Sequence, residues 1–195
     1  MSSANSVWRT GPVEIEKPRS PLWVALGILA ALLVVGLCGY GLTLVCGFRS
    51  YKLACASMEK TLYEGDTFVC NLNAYRKRPP ARGDVIVFEH GEYFLVKRLI
   101  GLEGDRIEGR NGVVSVNGKV LDEPYAEHTG SSIDALDSFG PVVVAPGTVF
   151  LLGDNRDHSL DSRLEEFGEV RRGDIRGKAV FILSSSHGQA GQSVR

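Results

Sequence analysis

A lysine in an alternating segment is the first candidate for chemistry in this chain of 195 residues. A hydroxyl nucleophile needs a base, and none of the four histidines lies in a persuasive active-site context. A lysine can be that base when desolvation lowers its pKa and leaves the amine neutral. Strand alternation over Tyr93–Ile100 places Lys97 and Arg98 on opposite faces, each beside apolar residues. One of the two charges is therefore expected in apolar surroundings, although a strand lysine more often extends its ammonium group to water.

The candidate nucleophile is a serine close to a long uncharged run. Ser57 begins the segment SMEKTL, nine residues after that run ends at Phe48. The segment is irregular and precedes the first predicted strand, so the hydroxyl is expected near a membrane surface. The alternative is an ordinary turn or capping serine, which is the commoner role of a loop serine.

A third candidate element is the polar run GDNRDHSLDSR at Gly153–Arg163, directly after an apolar strand. Its carboxylates could form a calcium loop, but an EF-hand requires glycine at the sixth position from Asp154, where Ser159 stands. Paired aspartate and arginine side chains that support a site fit the run better.

The uncharged run covers residues 20–48, which is 29 residues in succession. About 20 apolar helical residues span a bilayer core, so we predict a transmembrane helix here after a polar segment, residues 1–19. The alternative is a cleaved secretory signal, whose apolar region is only about 7–15 residues long. The length therefore favours an uncleaved anchor in contact with membrane lipid.

Composition excludes few other functions. Lys and Arg total 22 against 23 Asp and Glu, for a net charge of -1, so a nucleic-acid partner is not expected. The basic turn 76–78 fits either anionic lipid headgroups or simple solvation.

The cysteines and histidines do not predict a metal site. Two of the four cysteines lie inside the uncharged run, so only Cys55 and Cys70 could pair in the remainder, and their spacing does not decide this. No CxxC motif occurs, and the histidines are dispersed without ligand spacing. We predict neither a metal nor a cofactor.

Beyond the uncharged run the pattern is that of short strands. Asn111-Gly112 and Asn117-Gly118 fit two-residue hairpin turns, and 161–167 is the one plausible helical turn. We predict a mostly β protein, with an antiparallel coiled or barrel-like sheet over residues 49–183, a small lobe at about 101–145 and a mobile tail at 184–195. The predicted strands are rich in β-branched and aromatic residues and cover 67–69, 85–88, 93–96, 113–116, 142–144, 148–152 and 179–183.

Taken together, the ordered motifs resemble those of the bacterial type I signal peptidases, the Ser-Lys serine protease family. The likeness extends over nearly all of residues 20–183. After an apolar anchor the motifs are SMEKTLYEGD, RGDVIVF, KRLIGLEGD, VNGKVLDEPY, GDNRDHSLDSR and GKAVF.

The resemblance implies a role for each matching residue. Ser57 would be the nucleophile and Lys97 the general base, with Ser159 orienting the lysine amine. Three further residues would hold the site together by ion pairing: Asp154, Asp161 and Arg163. The family's substrates are exported preproteins, cleaved after small residues of Ala-x-Ala type by a catalytic domain outside the cytoplasm.

Two departures from the family pattern adjoin the nucleophile. Cys55 stands where a serine is common, and a thiol is a weaker donor to an oxyanion than a hydroxyl. Lys60 stands where proline is common. They leave open a catalytically impaired, membrane-tethered module that binds preproteins or assembly partners. A self-cleaving repressor type of Ser-Lys protease is disfavoured, since it would not need the anchor.

Overall fold

The computed structural model describes residues 21–128 and 134–195. The chain divides after Leu42 into two units. Helix α1, Pro21–Val45, forms from the leucine-, alanine- and valine-rich part of the uncharged run. Among the described residues, no helix is long and apolar enough to cross a membrane, so the anchor stays a prediction. The predicted polar segment 1–19 lies outside the described residues.

The second unit is built on a seven-stranded antiparallel sheet in the order β1-β2-β11-β3-β4-β9-β10. Its edges are β1 and β10, so the described strands form an open sheet rather than a closed barrel. The strands are β1 Phe48–Lys52, β2 Thr67–Asn71, β3 Val85–His90, β4 Tyr93–Leu102, β9 Thr148–Leu152, β10 Val170–Arg171 and β11 Ile175–Ser184.

A four-stranded antiparallel sheet in the order β7-β6-β5-β8 forms the region predicted as a small lobe. The two predicted hairpin turns are confirmed: Asn111 and Gly112 both have positive φ, as do Asn117 and Gly118, which matches the twist of the flanking strands. The strands are β5 Arg106–Arg110, β6 Val113–Val116, β7 Lys119–Val120 and β8 Phe139–Val143.

The long strand β4 lies in the main sheet between β3 and β9. Its first half pairs with β3 and its second half with β9, and Gly101 lies at an irregularity in the second pairing. A Cβ at Gly101 would meet Ile107, Val144 and Phe150 at 2.9 Å, so glycine permits the lobe to pack this closely. Apolar side chains cover both faces of β4, which makes it the centre of the domain.

The antiparallel β-architecture agrees with the sequence prediction, but several local features were not predicted. Residues 161–167 form successive turns, in which the Gly168 N–H donates to the Leu164 carbonyl oxygen at 2.9 Å. A short helix α2, which was not predicted, covers Asp134–Asp137. A 3-10 turn, Arg172–Asp174, precedes β11. Four strands were not predicted, because β1, β5, β7 and β10 are short or carry charges that hide their period.

The predicted mobile tail, 184–195, is not extended in the structure. Residues 187–195, here called the returning segment, turn back along β11, and Val194 is buried. The prediction of mobility rested on the lack of an apolar period, and a single valine placed opposite a strand has none. The returning segment therefore makes contacts that its polar local sequence does not predict, while the mobility of residues 184–195 stays a prediction.

Candidate active site

Ser57 lies in the loop between β1 and β2. The loop is closed at its base, where the Leu53 N–H donates to the Asp66 carbonyl oxygen at 2.8 Å. Two fully buried side chains, Met58 and Leu62, anchor it in the core, and the Leu62 N–H donates to the Met58 carbonyl oxygen at 2.7 Å. The nucleophile candidate therefore lies on a loop whose next residue is a core residue, and only 4% of Ser57 is exposed.

Lys97 reaches this serine from the middle of β4, opposite Ile86 of β3. Its Nζ lies 2.5 Å from Ser57 Oγ in a buried hydrogen bond. Burial holds the pKa of Lys97 below its ordinary value, while Cys55, Asp161 and Asp154 act in the opposite direction. The sheet thus joins residues 40 positions apart into a hydroxyl and amine pair, and burial shifts the amine toward its neutral form.

The burial of Lys97 agrees with the expectation that one of the two charges enters apolar surroundings, and Arg98 is buried as well. The reason is that β4 is covered on both faces. Arg98 forms a two-pronged ion pair with Asp154, with Nε–Oδ1 at 2.7 Å and Nη2–Oδ2 at 2.6 Å. Its guanidinium also stacks 3.8 Å from the centre of the Tyr125 ring.

Arg98 is the supporting residue that sequence reasoning missed. Asp154 matches a family position associated with ion pairing, but its partner is Arg98 of β4 rather than Arg163. The same carboxylate accepts a hydrogen bond of 2.5 Å from Thr61 Oγ1, four residues after the nucleophile. The sequence feature that could have indicated this role is a second cation, Arg98, beside Lys97 in an apolar strand. Its partner was 56 residues away and could not be read from the pattern.

The loop after β9 lies directly against the loop between β1 and β2, residues 53–66, which carries the candidate nucleophile and is here called the nucleophile loop. The Asn155 N–H donates to the Ser57 carbonyl oxygen at 3.1 Å. A Cβ at Gly153 would lie 2.5 Å from that same oxygen and 2.2 Å from Ser159 Oγ, so this position requires glycine. The two loops therefore approach backbone to backbone at the site.

Asp161 and Arg163 form the second buried ion pair, with both hydrogen bonds at 2.8 Å. Asp161 also accepts a hydrogen bond from the Gly153 N–H at 2.9 Å. Arg163 donates to the Leu136 and Arg156 carbonyl oxygens at 3.0 and 2.9 Å. Each side chain of the pair therefore bonds backbone groups as well as its charged partner, and these bonds hold the shape of the loop after β9.

Ser159 is buried within the same loop, but its Oγ forms no hydrogen bond within the described part of the chain. The predicted contact between Ser159 and the Lys97 amine is therefore not formed in this structure. Its role as an orienting hydroxyl stays a prediction.

Cys55 lies beside the nucleophile, with its Sγ 3.4 Å from Ser57 Oγ. It is exposed and free, whereas Cys70 is buried in the core and also free. Burial raises the pKa of the Cys70 thiol to about 12, which keeps it unreactive. The pairing of these two cysteines that the sequence left open is absent from the structure.

The lobe is tied to the loop after β9 by charged side chains. Arg156 is buried and bonds both carboxylate oxygens of Glu123, at 2.9 and 2.8 Å. His128 Nδ1 lies 3.6 Å from Asp157 and 3.9 Å from Asp137, an association that the dispersed spacing of the histidines did not predict. These contacts join the lobe to the loop that carries Asp154 and Ser159.

An apolar cleft of about 240 Å³ opens beside the serine and lysine pair. Residues 51–55 form one wall and residues 93–97 form the other, with Phe68 and Val87 contributing to the lining. The 93–96 part of β4 pairs with β3 on one side, while β9 joins only from Arg98 onward. The other edge of this part of β4 is therefore unpaired among the described strands.

Comparison with known proteins shows the family to which the chain belongs. The family model described as signal peptidase, peptidase S26, matches residues 23–184. The chain is a hydrolase of the serine peptidase class. Within that class it belongs to the signal peptidase family, peptidase S26.

Individual relatives agree with this membership. The chain is 39% identical to signal peptidase I of Bacillus caldolyticus over 144 residues, 69% of this chain and 78% of the relative. It is 34% identical to the probable signal peptidase I-2 of Synechocystis sp. over 175 residues, 84% of this chain and 74% of the relative. A crystal structure of a signal peptidase I from Enterococcus faecalis aligns with a TM-score of 0.43 at 30% identity, covering 52% of this chain and 97% of that one.

The buried ion pair predicts a large stability effect. Replacing Asp154→Asn leaves the Arg98 charge buried without its partner, so the free energy of unfolding should fall by about 3–5 kcal/mol. Glu89→Gln is the matched control, since it removes an exposed pair with Arg176 and should change stability much less. Denaturant unfolding of the detergent-solubilised chain at neutral pH measures both. Equal changes in the two variants would contradict the assigned importance of the Arg98 pair.

Proposed function

We propose that the chain is a membrane-bound endopeptidase that removes signal peptides from exported preproteins, with Ser57 as nucleophile and Lys97 as general base. The observation that carries the proposal is the buried 2.5 Å contact between Lys97 Nζ and Ser57 Oγ. Membership of the signal peptidase family supports the substrate class.

The geometry supports acyl transfer through Ser57. Neutral Lys97 accepts the hydroxyl proton as Oγ attacks the carbonyl carbon of the scissile peptide bond. The resulting ammonium gives that proton to the departing amine nitrogen, and the peptide C–N bond breaks to leave an ester on Ser57. A water molecule, deprotonated by the same lysine, hydrolyses the ester and restores the hydroxyl.

The oxyanion of the tetrahedral intermediate needs donors beside Ser57. The Ser57 backbone N–H is the first, and a group at Cys55 is the second, since its thiol is already 3.4 Å from Oγ. One such donor is typically worth about 2.7–4 kcal/mol in the transition state. A thiol is a weaker donor than a hydroxyl, so the backbone contribution carries more of the stabilisation here.

Substrate recognition is assigned to the cleft between residues 51–55 and 93–97. An extended peptide could add to the unpaired edge of β4 at 93–96, which would present alternate side chains to the cleft. The preference for small side chains of Ala-x-Ala type at the two positions that enter the cleft is part of the proposal and rests on the family resemblance.

Membrane attachment is the second part of the proposal. The uncharged run 20–48 is long enough to act as an anchor, with the catalytic domain outside the cytoplasm, where exported chains emerge. Because Ser57 follows the run by nine residues, the anchor would hold the nucleophile close to the bilayer surface. Such confinement raises the effective concentration of a membrane-borne substrate without tight binding.

Replacing either member of the dyad should abolish cleavage. Ser57→Ala removes the attacking oxygen and Lys97→Ala removes the base, so each should lower kcat for a preprotein in detergent by at least about 1000-fold. Ser50→Ala and Lys119→Ala, at exposed positions, are matched controls that should keep wild-type activity. Turnover close to wild type in either dyad variant would rule out the assignment. A wild-type chain that binds preprotein but never cleaves it would favour the impaired binding module instead.

The buried lysine predicts the pH dependence. Only the neutral amine accepts the serine proton, so kcat/KM should rise with pH as Lys97 loses its proton. Since burial lowers the pKa of Lys97, the rise should begin well below the value of about 10.4 for a free lysine. Initial rates measured across pH with a preprotein whose own charge is constant test this. A rise confined to the region near 10.4 would contradict a desolvated base.

The anchor predicts an intact N-terminus in the membrane fraction. Alkaline extraction should leave the full chain with the bilayer, because about 20 buried apolar residues are not released by pH or salt. N-terminal sequencing of the membrane-borne protein measures this. A soluble product that begins at Ser57 would show that the uncharged run is a cleaved signal rather than an anchor.

A further inference from the structure

We propose that the returning segment, residues 187–195, positions the loop that carries Ser57 and is required for a productive contact with Lys97. The proposal deepens the function proposed above and rests on it for its kinetic consequence. Its structural part rests on contacts that join this segment to the nucleophile loop and to Arg98.

The first contact fixes the segment on the main sheet. β3 pairs with β11 only at residues 175–178, which leaves that edge of β11 unfilled farther along. The returning segment takes this edge: the Gly191 N–H donates to the Ile182 carbonyl oxygen at 2.8 Å, and the Val194 N–H donates to the Val180 carbonyl oxygen at 3.1 Å. Pairing of otherwise open strand groups gives the segment a defined register.

The second contact is apolar. That register turns Val194 into the core cluster that contains Met58 and Leu62, and only 7% of its surface stays exposed. Met58 directly follows Ser57, so Val194 belongs to the packing that supports the nucleophile. Close-packed side chains transmit small displacements, because an interior has few voids that could absorb them.

The third group of contacts joins the returning segment to the surface of the nucleophile loop. Gln189 Nε2 donates to the Lys60 carbonyl oxygen at 3.3 Å. Lys60 has φ of +81°, a conformation that is costly for a residue with a side chain and persists only where the surroundings hold it. Its Nζ donates to the Ala126 carbonyl oxygen at 3.1 Å, and the Tyr63 ring stacks on His187 with centres 4.2 Å apart.

The fourth contact reaches the residue beside the base. Arg98 Nη2 donates to the main-chain oxygen of Arg195 at 2.9 Å and to Thr61 Oγ1 at 3.1 Å. The returning segment thus touches the loop after Ser57 and the strand residue after Lys97. A segment that contacts both sides of the dyad can set the distance between them.

The returning segment acts by positioning, since its contacts are with Arg98, Lys60 and the cluster of Met58 rather than with the reacting atoms. Loosening it would let the nucleophile loop shift, and a misplacement of about 1 Å at a reacting group costs up to about 100-fold in rate. Substrate binding in the cleft should change little, because the cleft lining does not include residues of the returning segment.

The test compares Val194→Ala and Gln189→Ala with Val113→Ala, which truncates an exposed valine on β6. Val194→Ile is the conservative variant that keeps the apolar contact. For each detergent-solubilised full-length protein, kcat, KM and the pH profile are measured with a preprotein. Circular dichroism and thermal unfolding give the folded fraction, and hydrogen exchange reports the amides of residues 57–63.

We expect Val194→Ala to lower kcat about 10–100-fold, with KM within about 3-fold and the onset of the pH profile unchanged. Gln189→Ala should act in the same direction, and Val194→Ile and Val113→Ala should retain activity. Exchange over 57–63 should quicken in Val194→Ala and Gln189→Ala but not in Val113→Ala. A folded Val194→Ala protein with wild-type kcat, or a loss that only follows the unfolded fraction, would overturn the proposal.

The two proposals fail separately. If the wild-type chain shows no cleavage that depends on Ser57, the proposed function fails, and the exchange comparison still decides the positioning role. Unchanged exchange over 57–63 in both Val194→Ala and Gln189→Ala would then refute it, and faster exchange would support it.

Discussion

The proposed site depends on the burial of a lysine amine against a serine hydroxyl. An amine on the surface would be protonated near neutral pH and could not accept a proton. Enclosing Lys97 disfavours its charged form, but the enclosure also brings other ionisable groups into the interior. The surrounding structure must therefore neutralise those groups without restoring the charge on Lys97.

Two buried ion pairs meet that requirement. Arg98 with Asp154, and Arg163 with Asp161, each satisfy their own charges and hold backbone near the site. Removal of one partner would leave an uncompensated interior charge, which costs far more than an exposed pair contributes. The pairs also connect β4, the nucleophile loop and the loop after β9, so the same contacts that neutralise charge set the position of Ser57.

The individual elements show how far prediction could go. The hairpins at Asn111 and Asn117 follow from turn chemistry within two residues, and the central strands follow from their β-branched runs. The sequence does not predict β1 because FRSYK has no clear alternation, and it predicts a mobile returning segment because that segment is polar. The position of the returning segment depends on an unpaired edge of β11 and on the core cluster in which Val194 packs. Both exist only after the sheet has formed.

The sequence by itself determined the residue types of the site and their order along the chain: a serine after an uncharged run, a lysine in an apolar strand and an acidic and basic loop later on. It also determined the antiparallel β-class, because period and turn residues are local properties. Only the tertiary structure decided that both Lys97 and Arg98 are buried, that Arg98 pairs with Asp154, and that Val194 packs in the cluster of Met58. Burial and charge pairing depend on which distant segments cover a strand, and no local pattern contains that information.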